Sequence, residues 1–302
     1  MAADPDLAVA ERLALRVSIV AAGVLGVVGI TVGLIARSQM IVFDGVYAVL
    51  GIVLSWMALR ALRLVDAGPT VRYPFGREAL TPLVIGIQGL VLLAVCVYAA
   101  IEAIGTIRDG GSAVSPGPAI AYAIASLAAT MAVWWWLRRT ARRSEMVAAE
   151  AAQWFAGGAL GLGMVVGFGA MLAAQGTSWE DPSRYLDPAM VVLTCVVLLP
   201  TPLRMIRQAV VELLEGRPPA EVRRPVEQVI ESVRSRFDLP EPLVLMTKVG
   251  RKLYIEVDFV VSAELTVGHA DRVRSELRSR LDELPFDLWL NVELTADESW
   301  LS

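Results

Sequence analysis

Four side chains could take a cation or a proton in this chain. Asp44 is the single charge in MIVFDGVYAVLGIVLSW, residues 40–56. A carboxylate inside a membrane span costs roughly 2.5–3.5 kcal/mol on insertion scales, so it normally turns toward a partner ion or a water-filled path; Asp44 also stands only about a turn from one end of its apolar run. Glu150 and Gln153 lie three apart in EMVAAEAAQWF, a spacing that puts both on one helix face. The carboxylate suits either an ion site or the membrane interface, and the amide either coordination or hydrogen bonding between helices. His269, the only histidine, suits a solvated or interface position as well as metal ligation. Cys96 and Cys195 sit in apolar runs and read as core or lipid-facing residues without a disulfide framework or zinc cluster. No CxxC pair, His-rich loop, nucleotide-binding glycine loop or nucleophile–base pairing occurs, so the chain is not expected to be an enzyme.

The elements that must position these groups are spans. The 302 residues are 56% hydrophobic and 19% charged, with a mean hydropathy of +0.57, well beyond a soluble domain. The net charge of −4, with no long basic run, gives no sign of a nucleic-acid partner. A hydrocarbon core of about 30 Å needs about 20 apolar residues. Six stretches meet or approach that length, at 17–36, 40–62, 79–101, 113–137, 144–179 and 187–204. In the fifth, GGALGLGMVVGFGAML supplies small residues suited to close helix contact. Arg60, Arg63, Arg72 and Arg77, then Arg138, Arg139, Arg142 and Arg143, then Arg204 and Arg207 fall on one side; Arg37, Arg108 and Arg184 fall on the other. The positive-inside rule therefore places both termini in the cytoplasm of a multi-pass protein of the plasma or inner membrane, with membrane lipid as its surroundings. The opening MAADPDLAVAERLALR is acidic and polar before the first apolar run, which argues against a cleaved signal peptide.

Composition changes after Gly216. RPPAEVRRP is a linker, and apolar periodicities then predict helix, strand, strand, helix, strand. Val226, Val229, Ile230, Val233 and Phe237 mark the first helix; Leu253, Ile255, Val257, Phe259 and Val261 mark one face of a strand; Val273, Leu277 and Leu281 mark the second helix. The expected fold class is thus an all-α membrane domain of six transmembrane helices over residues 1–216, followed by a ferredoxin-like αββαβ domain over 217–302. A domain of about 80 residues is marginal alone, which favours docking or dimerisation.

This layout resembles the cation diffusion facilitator, or cation efflux, family of divalent-metal transporters. Asp44 early in the second span, YPFGREALTPL at 73–83, LDPAMVVLTCVVLL opening the sixth span, VVELLEG leaving the membrane and TVGHADRV around His269 carry the resemblance, which covers nearly the whole chain. It implies a cation/proton antiporter that exports a divalent metal from the cytoplasm as a homodimer joined through the C-terminal domain. The family's four ligands lie on the second and fifth spans at spacings of four; the matching positions here are Asp44 and Ala48, then Ala149 and Gln153. Tyr73 and Arg77 stand where the family has loop histidines, and His269 persists in the tail. Three responses to the lost ligands remain open: an oxygen-rich site rebuilt from Asp44, Gln153 and Glu150 or Tyr47; a different cargo or coupling ion, with Asp44 as the protonatable group; or a non-transporting, regulatory relative. The first predicts an ion of the Mn²⁺, Fe²⁺ or Mg²⁺ type over Zn²⁺. An unrelated six-span channel would need polar lining along several spans, and the third and fourth show almost none.

Overall fold

The computed structural model describes residues 5–140 and 145–300. Its helices are α1 (Pro5–Ala36), α2 (Gln39–Asp66), α3 (Leu80–Arg108), α4 (Pro116–Thr140), α5 (Glu145–Ala174), α6 (Glu180–Ser183), α7 (Leu186–Leu198) and α8 (Pro200–Leu213). Then follow α9 (Ala220–Arg236), β1 (Leu243–Val249), β2 (Lys252–Val260), α10 (Val267–Leu281) and β3 (Asp287–Thr295). Among the described residues six spans are long and apolar enough to cross a membrane, the sixth running from Asp181 to Leu213. Pro200 lacks the N–H that would continue the ladder, so the sixth span breaks at Leu199 into α7 and α8. Arg142 and Arg143 lie outside the described residues. The chain forms two compact units, residues 1–57 with 90–203 and residues 58–89 with 204–302.

The first unit buries Met40 and Ile41 of α2, Cys96 of α3, Tyr122 of α4, Phe168 of α5 and Val191 and Cys195 of α7 in one core. Both cysteines are buried free thiols. The outer faces are also apolar: Leu34, Leu90, Ile101, Val166 and Leu193 are all exposed, as lipid-facing positions are. At the end of α4, Arg138 stands 5.5 Å from the Trp134 ring centroid and Arg139 3.5 Å from that of Trp135, an aromatic and basic belt at a membrane surface.

Glycines let the first two helices touch. A Cβ on Gly45 would stand 2.7 Å from the backbone oxygen of Gly26 and 2.7 Å from the nitrogen of Ile30, and one on Gly33 would meet the backbone of Val42. Backbone cannot step aside cheaply. Gly45→Ala should therefore cost about 1–3 kcal/mol by overpacking, seen as a lower melting temperature of the purified protein; an unchanged melt would show that α1 and α2 are not in close contact. The glycine run of α5 packs as its composition predicts, with Gly158 against Met131, Gly161 against Leu127 and Gly167 against Met190.

In the second unit the sheet has order β1-β2-β3, with β1 antiparallel and β3 parallel to β2. Its helix-covered face buries Leu253, Ile255, Val257 and Phe259 against Val226, Ile230 and Val233 of α9 and Val273, Leu277 and Leu281 of α10. The β1–β2 hairpin turns at Gly250, whose φ of +61° suits the first place of a two-residue loop. Carboxylates hold that turn. Glu212 of α8 accepts from the Gly250 N–H at 3.1 Å, and Asp66 at the end of α2 pairs with Arg251 at 2.5 Å.

On the other sheet face Asp258 is only 7% exposed, and its Oδ1 has no partner among the described residues. Burial, then the nearby carboxylates of Glu256 and Glu293, push its pKa upward. A raised carboxyl stabilises the fold while protonated, so this contribution is lost as pH rises through the raised value. Asp258→Asn should raise the tail's melting temperature at neutral pH by about 2–4 °C. The gain should fade as pH falls through the raised value, below which the wild-type carboxyl carries its own proton; a gain independent of pH would contradict this origin.

Candidate functional site

Three of the four proposed transport ligands come together. Asp44 of α2 and Glu150 and Gln153 of α5 line one cavity of about 260 Å³ in the first unit. Ala48 lines it too, one turn beyond Asp44, where a second carboxylate is missing. Glu150 and Gln153 reach it from one helix face, as their spacing predicts. Tyr47 does not line it. Its ring lies 6.0 Å from that of Phe43 and packs against the core.

The cavity also has walls that the sequence analysis missed. Ser18 of α1 donates a hydrogen bond to the Glu150 carboxylate, and Trp154 Nε1 donates to Ser18 Oγ at 2.7 Å. This chain of donors fixes the Glu150 carboxylate while leaving it further lone pairs for a ligand. Ser126 and Thr130 of α4 line the cavity as well. Their spacing of four, which puts two hydroxyls on one helix face, was the available signal; it corrects the expectation that the fourth span offers almost no polar lining. No hydrogen bond from a described residue reaches Asp44.

The polar lining is therefore two carboxylates, an amide, three hydroxyls and the Trp154 indole, among apolar walls. Among the described residues no group of three or more His, Cys, Asp or Glu side chains could hold a metal ion. An ion here would draw on Asp44 and Glu150 and complete its shell with the Gln153 carbonyl, hydroxyls or water. Carboxylate oxygens bind Zn²⁺ at about 2.0–2.2 Å, so the donors fit that ion chemically.

Tyr73 and Arg77, in the loop between α2 and α3, stack on one another, the guanidinium carbon 4.6 Å from the ring centroid. His269 belongs to the tail unit. Its backbone N–H is capped by Thr266 Oγ1 at 3.3 Å, its ring meets Phe237 edge-on at 5.7 Å, and its Nδ1 accepts from Arg272 at 3.3 Å. An Nδ1 that accepts from arginine puts the neutral ring's proton on Nε2, which is then a donor without a lone pair for a metal ion.

Another carboxylate of the first unit, Asp187 at the start of α7, is wholly inaccessible. It accepts from Ser38 Oγ at 2.6 Å, from Gln39 N at 2.9 Å and from Met40 N at 3.3 Å. Asp187 thus caps the N-terminus of α2 from another span, and its charge meets the positive ends of both α2 and α7.

The family model for the cation efflux transmembrane domain matches residues 15–214, which include every wall of the Asp44 cavity. The chain belongs to the cation efflux family. Among curated cation efflux relatives, the zinc transporter ZitB of Escherichia coli (strain K12) is 29% identical over 182 residues, covering 59% of this chain and 56% of that protein. ZitB of Pectobacterium atrosepticum is 26% identical over 186 residues, covering 62% and 56%. The match thus spans little more than half the length of these relatives. Their names overturn the expectation of an ion of the Mn²⁺, Fe²⁺ or Mg²⁺ type, since they are zinc transporters. The inference from oxygen donors was too strong because donor hardness ranks ligands without setting affinity, and Mn²⁺ and Fe²⁺ stand at the weak end of the first-row series for a given ligand set.

Proposed function

We propose that this protein exports zinc from the cytoplasm in exchange for protons, with Asp44 alternating between an ion-bound and a protonated state. The observation that carries the reading is the cavity where Asp44, Glu150 and Gln153 meet; membership of the cation efflux family and the zinc transporters among its relatives support the choice of cargo. Glu150 supplies the second negative charge toward neutralising a divalent ion, and Ser18 and Trp154 hold its carboxylate in place. Helices on either side of the cavity rock to open it to each surface in turn. Each proton that enters down a 100 mV potential contributes about 2.3 kcal/mol and each Zn²⁺ that leaves against it costs twice as much, so at least two protons must enter per ion for the potential not to oppose export.

The arginine bias supports cytoplasmic termini. We assign residues 1–216 to the six-span domain and 217–302 to a cytoplasmic regulatory domain through which two copies pair. Purified protein in liposomes, given a proton gradient and a zinc-sensitive dye, should show zinc flux that a protonophore collapses. A second reading, a non-transporting member of the family, is favoured by the absence of a three-ligand cluster of His, Cys, Asp or Glu among the described residues. Absence of both flux and saturable zinc binding would establish that reading in place of transport.

A further inference from the structure

Where α1 turns into α2, the first unit has a second cavity, of about 420 Å³, that the transport reading leaves unused. Its floor is apolar, with Val46 of α2 facing Val95 and Ala99 of α3, and its mouth carries Arg37, Gln39 and Glu102. Each of these three polar residues has unspent capacity.

Arg37 follows the last residue of α1 with a φ of +55°, a conformation that glycine adopts at helix ends without cost and other residues hold under strain. Its guanidinium makes no ion pair among the described residues. The Gln39 amide has a settled orientation: Nε2 donates to Thr106 Oγ1 at 2.7 Å, and that hydroxyl spends its own proton on the Glu102 carbonyl at 3.1 Å. Gln39 Oε1 is consequently left buried, without a donor among the described residues. The Glu102 carboxylate is exposed and also lacks an ion pair among them.

One cation and one exposed carboxylate thus rim an apolar groove between membrane spans, with the buried Gln39 oxygen behind them. The ligand they fit has an anionic group for Arg37, an ammonium with N–H protons for Glu102, and a hydrocarbon tail for the floor. We propose that this groove binds a phospholipid by its phosphoethanolamine headgroup, with an acyl chain laid between α2 and α3. A phosphocholine headgroup is cationic but has no N–H to donate, and a phosphoglycerol headgroup has no cation. The groove volume lies within the range of small-molecule sites.

The test uses delipidated full-length protein in detergent, offered equal amounts of phosphatidylethanolamine, phosphatidylcholine and phosphatidylglycerol with identical chains, and scored by native mass spectrometry. Wild type should retain the ethanolamine lipid over each of the others by about fivefold or more. Glu102→Gln should bring it down to the level of phosphatidylcholine, and Arg37→Gln should lower its retention by about fivefold. Ala99→Trp, which fills the floor and leaves the mouth intact, should remove it. Melting curves show whether each variant is folded, and the wild-type comparison needs no variant. Equal retention of the three lipids, a preference for phosphatidylglycerol, or an ethanolamine preference that survives both mouth substitutions would overturn the proposal.

Discussion

Asp44→Asn should lower proton-driven zinc flux by about 100-fold, the consequence of removing one partner of a buried charge contact, roughly 3 kcal/mol, at 1.4 kcal/mol per tenfold. The amide is the same size, so the cavity keeps its shape. What goes is one of the two charges facing a divalent cation and, in the proposed cycle, the group that carries a proton back. Stability should move the other way. A carboxylate in the membrane with no hydrogen bond from a described residue is a cost to the fold, and the neutral amide removes it, so the variant should melt at or above the wild-type temperature. Loss of flux with an unweakened fold separates a ligand from a structural residue. Flux within about threefold of wild type would take Asp44 out of the site.

The parts of this molecule legible in its sequence are those that a local pattern specifies. Each span shows itself by apolar length, and the tail's helices and strands by periods of 3.6 and 2, so Leu253, Ile255, Val257 and Phe259 could be assigned to one buried face before any coordinates. Asp44 stood out as a charge without neighbours, and Glu150 with Gln153 as a helical pair. Contacts across the chain left no such trace. Ser18 meets Glu150 over 132 residues of sequence, and nothing near Ser18 in VSIVAAG marks it as more than a small residue in a span. Tyr47 shares the helix of Asp44 but its ring turns to Phe43 and the core, a contact that spacing along the helix does not disclose. The ion was misread because oxygen donors are common to sites for several divalent metals.

Asp187 is the counter-example to Asp44, and its removal should damage the fold more than any other single change considered. The motif LDPAMVV was read as the opening of a span. In the structure its carboxylate accepts from Ser38 Oγ, Gln39 N and Met40 N, with no access to solvent. Asp187→Ala leaves three buried donors without their acceptor, each worth about 1–3 kcal/mol when unsatisfied. Ser38 Oγ can still accept from Ile41 N, at 3.2 Å, so the first turn of α2 keeps its own cap. With three donors affected and the site free to relax in part, the net loss expected is about 3–5 kcal/mol, or roughly 10 °C in melting temperature for a unit of this size. Asp187→Asn keeps one carbonyl oxygen but turns an NH₂ toward backbone donors, so it should fall between alanine and wild type. The two membrane carboxylates therefore predict opposite responses to the same change: the amide is tolerated or stabilising at Asp44, which awaits a ligand, and destabilising at Asp187, whose acceptors are already taken. An Asp187→Ala protein that melts within about 2 °C of wild type would show that the α2 cap is not what the carboxylate is for.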